Sequence, residues 1–113
     1  MHELSVANSI IEHAINVANE NNASDIKEIE LEIGSMSGID KDSFSFVMSC
    51  LKDSSGFNNC NIKIIYLENY YECTNCETKH NEGFNGENCS ICNNGILILK
   101  GNSDVKIKSI LIE

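Results

Sequence analysis

Four of the six cysteines in this 113-residue chain stand in two closely spaced pairs. Cys73 and Cys76 form one C-x2-C pair, Cys89 and Cys92 form the other, and 12 residues separate the pairs. Each short turn can direct two sulfurs at the same point, and this spacing is typical of a tetrahedral site in which four thiolates bind one Zn(II) ion. Because four thiolates leave no open coordination position, we expect a structural zinc rather than a catalytic one.

Other uses of these cysteines remain as alternatives. Two disulfides would require an oxidising compartment, but the first residues, Met-His-Glu-Leu-Ser, have neither the basic nor the apolar region of a secretory signal. A thioredoxin-type redox motif needs only one C-x2-C pair beside a βαβ unit. Iron also fits a tetrahedron of four sulfurs. We therefore favour zinc in a cytoplasmic protein with reduced thiols, with iron or redox chemistry as the alternatives.

The remaining cysteines and the histidines carry weaker signals. Cys50 neighbours apolar residues of a predicted helix and Cys60 precedes a predicted strand, so we expect two free, buried thiols. His2 is an ordinary exposed residue by type alone. His13 lies among apolar helix positions, which favours a packed or boundary residue over a ligand. For His80, in the loop between the pairs, we expect solvent exposure, with replacement of a cysteine or contact with a metal ion as the alternative.

Charge and hydropathy exclude two classes of partner. The net charge is -9, from 17 acidic and 8 basic side chains, which works against binding a phosphate backbone. The cysteine-containing segment is itself acidic, with Glu72, Glu77, Glu82 and Glu87 against Lys79 and Lys100. No apolar run approaches the roughly 20 residues that a membrane-spanning helix requires. We expect neither nucleic acid nor a membrane as a partner.

Apolar periodicity predicts two amphipathic helices. The first runs from Glu3 to about Glu20, and its main apolar face contains Leu4, Ala7, Ile11, Ala14, Ile15 and Ala18. The second follows Asp40, whose carboxylate is well placed to cap it. Its apolar face contains Phe44, Val47, Met48 and Leu51, and residues 54–56 end it.

Alternating apolar residues predict three strands. Residues 27–33 alternate cleanly and place Glu28, Glu30 and Glu32 on the outer face. Residues 61–68 form a second strand with Ile62, Ile64 and Tyr66 on one side. Residues 104–113 form the third, for which the expected inward face is Val105, Ile107, Ser109 and Leu111.

Together these elements predict an α+β fold in which two helices pack on a three-stranded sheet, with an inserted four-cysteine zinc-binding lobe. Residues 1–68 and 103–113 would form the α/β domain, and residues 69–102 the zinc-binding domain. The inserted segment has little periodic hydrophobicity, so apolar burial alone cannot order it. Zinc binding, typically worth ~10–16 kcal/mol in such peptides at neutral pH, can offset that cost.

The order of these motifs resembles the HypA/HybF family, the nickel metallochaperones of [NiFe]-hydrogenase maturation. The residues that carry the resemblance are MHELS at 1–5, EIGSMSGID at 32–40, the paired C-x2-C motifs and the final strand. It covers essentially the whole chain, and its most specific element is the combination of residues 1–5 with the paired cysteines. The chain departs from the family pattern in lacking Pro or Gly beside the cysteines, and at residues 101–104, where GNSD replaces a Gly-x-Glu-Leu lead-in.

The resemblance implies a function and a division of roles. His2 and Glu3 would bind Ni(II), the transferred cargo, within the α/β domain, and the four paired cysteines would hold structural Zn(II). It also implies that Asp40 supports or approaches the nickel site. The implied partners are a HypB-type GTPase and the hydrogenase large subunit precursor, and in some bacteria urease.

The N-terminal chemistry is compatible with nickel without reference to the family. A terminal amine, the His2 imidazole and nearby backbone amides can close small chelate rings in a plane, and square-planar nitrogen ligation suits Ni(II) or Cu(II). A zinc-ribbon interaction module without a second metal is the alternative function. An enzyme is not expected, because the chain has no G-x-S-x-G, H-E-x-x-H or G-x-x-x-x-G-K-[ST] motif.

Overall fold

The structure, a computed structural model, describes residues 2–113. Its elements are, in chain order, α1 (Glu3–Glu20), β1 (Ile26–Gly34), α2 (Lys41–Ser54), β2 (Asn61–Leu67), β3 (Tyr70–Cys73), β4 (Lys79–His80), β5 (Leu97–Lys100) and β6 (Val105–Ile112). Both predicted helices and all three predicted strands are present, with bounds within two residues of those expected. Within the described residues, no helix is both long and apolar enough to cross a membrane.

The strands form two separate three-stranded sheets. In the first sheet, with order β2-β1-β6, β1 pairs parallel with β2 and antiparallel with β6. In the second, with order β4-β3-β5, both pairings are antiparallel. We call residues 69–102 the cysteine lobe, and residues 2–68 with 103–113 the α/β lobe. The predicted fold class is confirmed, and the second sheet is an addition that the sparse apolar pattern of the cysteine lobe did not predict.

The core of the α/β lobe lies between the helices and the first sheet. Ile29, Leu31 and Ile33 of β1 are buried and alternate with the partly exposed Glu28, Glu30 and Glu32, as the sequence pattern predicted. The helices supply the other side of the core, with Ala7, Ile10, Ile11, Ala14 and Ala18 from α1 and Phe44 and Met48 from α2. This cluster belongs to the α/β lobe alone and contains none of the four paired cysteines, so its apolar burial does not depend on them.

Helix α2 begins where a carboxylate can satisfy its first backbone donors. The Asp40 side chain accepts a hydrogen bond of 2.9 Å from the backbone N–H of Ser43, which is the predicted N-cap. Because this N–H stabilises the charged form, the pKa of Asp40 is lowered from its ordinary value. The cap fixes the end of the loop that connects β1 to α2.

A β-bulge overturns half of the predicted inward face of β6. Leu31 pairs with Ile107, but Glu30 pairs with Ser109, so Lys108 is an extra residue opposite β1. The bulge shifts the alternation by one, and Ile110 and Ile112 pack on the core in place of the expected Ser109 and Leu111. Leu111 is 57% exposed.

Two further predictions of burial are wrong. Leu4 is 57% exposed, because the apolar face of α1 begins at Ala7 and includes Ile10 instead. Cys50 is also exposed, because it follows Phe46 by one helical turn on the side of α2 that faces away from the core. Cys60 is buried as expected, and both thiols are free.

Candidate metal centre

The fold brings the four paired cysteines together. Cys73 ends β3, Cys76 follows in the next turn, and Cys89 and Cys92 lie in the turn that precedes β5. Their Sγ atoms all lie within 4.8 Å of one another. Among the Cys, His, Asp and Glu side chains of residues 2–113, these four cysteines are the ones that lie close enough together, as a group of three or more, to hold a metal ion.

The sulfur spacing fits a tetrahedral ion. Zinc bound to four sulfurs at about 2.3 Å places neighbouring sulfurs about 3.8 Å apart. The Sγ atoms of Cys73 and Cys92 are 3.6 Å apart, and those of Cys76 and Cys89 are 3.8 Å apart. Both distances join sulfurs of different pairs, and none of the four cysteines forms a disulfide, whose sulfurs would be bonded at about 2.0 Å. The donor set and spacing therefore fit the structural metal that the sequence predicted.

Backbone donors orient the sulfurs within each turn. The N–H groups of Asn75 and Cys76 donate to Cys73 Sγ at 3.3 and 3.4 Å. The second turn repeats this arrangement, with the Ile91 N–H 3.4 Å from Cys89 Sγ. Hydrogen bonds to sulfur favour the thiolate over the thiol, so the backbone of each turn prepares its cysteines for metal binding.

Two side chains make further hydrogen bonds with the sulfurs that the sequence reasoning missed. The Asn75 side-chain amide donates to Cys92 Sγ at 3.5 Å and thereby joins the two turns. The Thr78 hydroxyl oxygen lies 3.2 Å from Cys76 Sγ. Their position within or just after a C-x2-C turn is the only sequence signal that could have identified them.

These hydrogen bonds shift the pKa values of Cys92, Cys76 and Cys73 in different directions. The backbone N–H of Asn94, with the Asn75 amide, lowers the pKa of Cys92 to about 6. The hydrogen bond with Thr78 lowers the pKa of Cys76. For Cys73, the backbone N–H of Cys76 acts in the same direction, but burial and the neighbouring thiols outweigh it and raise the pKa. The partly exposed Cys92 and Cys76 therefore ionise more readily than Cys73 before a metal binds.

Both turns are followed by a residue in the left-handed backbone region. Glu77, after Cys76, has φ 61°, and Asn93, after Cys92, has φ 59°. Glycine adopts this conformation most readily and asparagine tolerates it, whereas glutamate does so at a cost. Both turns therefore keep the same backbone geometry although the sequence has no glycine beside these cysteines. The cost of lacking glycine is local backbone strain at Glu77.

His80 is not the exposed loop residue that we expected. It lies in β4, paired with Tyr71 of β3, and is partly buried. Its Nε2 atom is 3.7 Å from Cys89 Sγ. Because β4 pairs with β3, the imidazole lies at the edge of the cysteine cluster. It contacts the sulfur of Cys89 but is not itself one of the four converging side chains.

The residues proposed for a second metal lie at the start of α1, in the other lobe. His2 is exposed, immediately precedes the helix, and makes no side-chain capping hydrogen bond. Glu3 begins the helix. Met1, whose amine belongs to the predicted chelate, lies outside the described residues. His13 is exposed and borders a groove of about 490 Å³ between α1 and β6.

Comparisons with known proteins agree with this arrangement over the full chain. A hydrogenase maturation factor HypA of Parabacteroides distasonis is 34% identical and the alignment covers 100% of this chain and 98% of the relative. A protein of the same name from Chlorobium phaeobacteroides is 27% identical over 100% of both chains.

Two solved structures share the fold. A solution structure of a HypA protein matches with a TM-score of 0.68 at 23% identity, covering 100% of this chain and 97% of that one. The solution structure of the Ni metallochaperone HypA from Helicobacter pylori matches with a TM-score of 0.62 at 23% identity, covering 99% and 97%. At this level of identity the two structures establish a common fold.

A family model described as "Hydrogenase/urease nickel incorporation, metallochaperone, hypA" matches residues 1–112. This match spans both the N-terminal residues and the two cysteine pairs. HypA proteins are metallochaperones and not enzymes, in agreement with the absence of catalytic motifs. The resemblance drawn from the sequence is thus confirmed, and this chain belongs to the HypA family of hydrogenase maturation factors.

Proposed function

We propose that this protein binds Ni(II) at its N-terminus through His2 and Glu3 and delivers it during maturation of [NiFe]-hydrogenase. In hosts that contain urease, the same delivery would serve that enzyme. The observation that carries this proposal is the family match over residues 1–112, which includes both candidate metal sites. The description of the family as hydrogenase/urease nickel incorporation supports both targets.

The two lobes would have different metals and different roles. Residues 1–68 and 103–113 would form the nickel-binding α/β domain, and residues 69–102 the zinc-binding domain. Zn(II), bound by Cys73, Cys76, Cys89 and Cys92, would be structural, because the cluster has four thiolates and hence no open position. Ni(II) would be cargo that arrives and leaves.

The surroundings of His2 suit a transfer site. Its imidazole is exposed and takes no part in capping α1, so it is available to a metal ion and to an approaching partner. Nitrogen ligands in a plane favour Ni(II) or Cu(II) over zinc. Because copper binds such ligands more tightly, selectivity for nickel would come from metal availability and from the partners. We propose that this protein acts in the cytoplasm and that its partners are a HypB-type GTPase and the hydrogenase large subunit precursor.

Calorimetric titration of the zinc-loaded protein with nickel tests the proposal. We expect one tight nickel site per chain in the parent, and its loss in His2→Ala with zinc content and circular dichroism unchanged. His13→Ala, another exposed histidine of α1, is the matched control and should retain nickel binding. A parent that binds no nickel, or a His2→Ala variant that binds as the parent does, would leave the zinc-ribbon interaction module as the better description.

A second experiment tests whether the terminal amine is a ligand. Protein with two residues added ahead of Met1 retains every side chain but moves the amine away from His2. We expect a large loss of nickel affinity if amine, imidazole and amide nitrogens form one chelate. Full affinity in the extended protein would show that side chains alone, from His2, Glu3, Asp40 or His80, form the site.

A further inference from the structure

The two lobes are held together by a small junction. The molecule is elongated, with principal extents of 57 × 26 × 17 Å, and its helices and strands pack chiefly within their own lobe. Two connections cross between the lobes: residues 68–69, which join β2 to β3, and residues 101–104, which join β5 to β6. Without other contacts, two such short connections would act as a hinge.

The chain at the end of β1 contacts the end of β2 and the second connection through its backbone. We call residues 34–36, which are the last residue of β1 and the two residues after it, the junction loop. The Ser35 N–H donates to the carbonyl of Leu67, the last residue of β2, at 2.9 Å. The Met36 N–H donates to the carbonyl of Asn102, in the second connection, at 3.0 Å. The backbone of the junction loop therefore holds the second connection beside the end of β2.

Side chains of the junction loop strengthen these contacts. The Ser35 hydroxyl donates to Oδ1 of Asn69 in the first connection. The Met36 side chain lies against Gly101, where an added Cβ would approach its Sδ atom to 2.7 Å and would collide with Asn69 Oδ1. Met36 is 48% exposed, so this contact places its side chain at the surface of the junction, beside the second connection.

A glycine is required at the start of the junction loop. A Cβ on Gly34 would overlap the backbone carbonyl of Asn102, which cannot rotate away as a side chain could. Gly34 has no positive φ, so it is needed for this close approach and not for an unusual backbone conformation. Gly101 differs, because its Cβ would meet only side-chain atoms, which can move.

We propose that the junction loop is a latch that fixes the orientation of the cysteine lobe relative to the α/β lobe. The latch would make the two lobes a single rigid body, so that a partner contacting both meets them in one arrangement. Gly34 supplies the close backbone approach, Ser35 and Met36 supply the donors, and Gly101 makes room for the side chains. This inference concerns the fold and does not depend on which metals the protein carries.

Residual dipolar couplings measured on the protein as purified test the latch. In the parent, we expect the amides of both sheets to fit one alignment tensor. In Gly34→Ala, the amides of the second sheet should require a separate tensor of reduced magnitude, while the amide shifts of each sheet remain those of the parent. Gly101→Ala should give a smaller separation, because only Met36 and Asn69 side chains are displaced.

Gly56→Ala is the control, since a Cβ on this glycine beyond α2 meets nothing within 4 Å. It should retain a single tensor. Two independent tensors in the parent, or one unchanged tensor in a folded Gly34→Ala protein, would overturn the proposal. If Gly34→Ala does not fold, Gly101→Ala decides the matter: a separate tensor for the second sheet supports the latch and an unchanged single tensor overturns it.

Discussion

The Sγ atoms of Cys73 and Cys92 lie 3.6 Å apart although the residues are 19 positions apart in the chain. Cys73 belongs to the first turn and Cys92 to the second, so the edge of the candidate tetrahedron that these two atoms define runs between the turns. Neither turn can complete the site by itself. A bound ion would therefore cross-link the end of β3 to the segment before β5.

Removing one thiolate should consequently open the whole cysteine lobe. We expect Cys92→Ser to lose zinc and to lose the dispersed amide signals of the cysteine lobe, while the α/β lobe keeps its own apolar core and remains folded. Elemental analysis and a heteronuclear NMR spectrum measure the two effects. Cys50→Ser, at an exposed thiol, is the matched control. Zinc retained in Cys92→Ser, or lost in Cys50→Ser, would show that the ligand set is misassigned.

Asn75→Ala should weaken zinc binding and make it more sensitive to acid. The Asn75 amide helps to hold the pKa of Cys92 near 6, so its removal raises that pKa. A protonated thiol must lose its proton before it binds zinc, so affinity falls with falling pH in both proteins, and the fall should begin at a higher pH in the variant. We expect a loss of about 10-fold in affinity, the lower end for groups that support metal ligands.

Competition with a zinc chelator across pH 5 to 8 measures this difference. Asn94→Ala is the control, because Asn94 supports Cys92 through its backbone N–H, which alanine retains. Equal pH profiles for Asn75→Ala and the parent would contradict the assigned role of the side chain.

Glu77→Gly should stabilise the cysteine lobe. Glu77 has φ 61°, a conformation that costs a non-glycine residue roughly 1–2 kcal/mol. Part of that gain is offset by the greater freedom of glycine in the unfolded chain, which leaves a net gain of up to about 1 kcal/mol. Since folding and metal binding are coupled, zinc affinity should rise about five-fold.

Glu82→Gly is the comparison for this prediction, because Glu82 is exposed but has no positive φ. It should bring no gain in zinc affinity. An equal rise in both variants would show that the loss of charge, and not the relief of backbone strain, is responsible.

The two unpaired thiols should differ strongly in reactivity. Cys50 is exposed, whereas Cys60 is 2% exposed and burial raises its pKa. Burial therefore lowers both the access of a reagent to Cys60 and the fraction of that thiol that is ionised. Brief treatment of the zinc-loaded protein with a maleimide should modify Cys50 alone, as mass spectrometry of the peptides would show. Both should react in urea, and modification of Cys60 at the rate of Cys50 under native conditions would contradict the packing around β2.

Local patterns in the sequence determined most of the fold and the candidate metal ligands. The apolar repeat of three and four fixed both helices, the alternation in residues 26–34 fixed the central strand, and Asp40 marked the start of α2. The two C-x2-C turns identified four cysteines that converge within 4.8 Å. These features were predictable because each depends on residues close together in the chain, whose side chains repeat with the period of a helix, a strand or a turn.

Only the tertiary structure decided the features that depend on distant residues. The bulge at Lys108 appears only when β6 pairs with β1, and it places Ile110 rather than Ser109 on the core. His80 approaches Cys89 only because β4 pairs with β3. Glycine is needed at position 34 because a Cβ there would overlap the backbone carbonyl of Asn102, and no local sequence pattern indicates that contact. Periodicity specifies which face of an element is apolar, but register and close approach follow from packing between elements that are far apart in sequence.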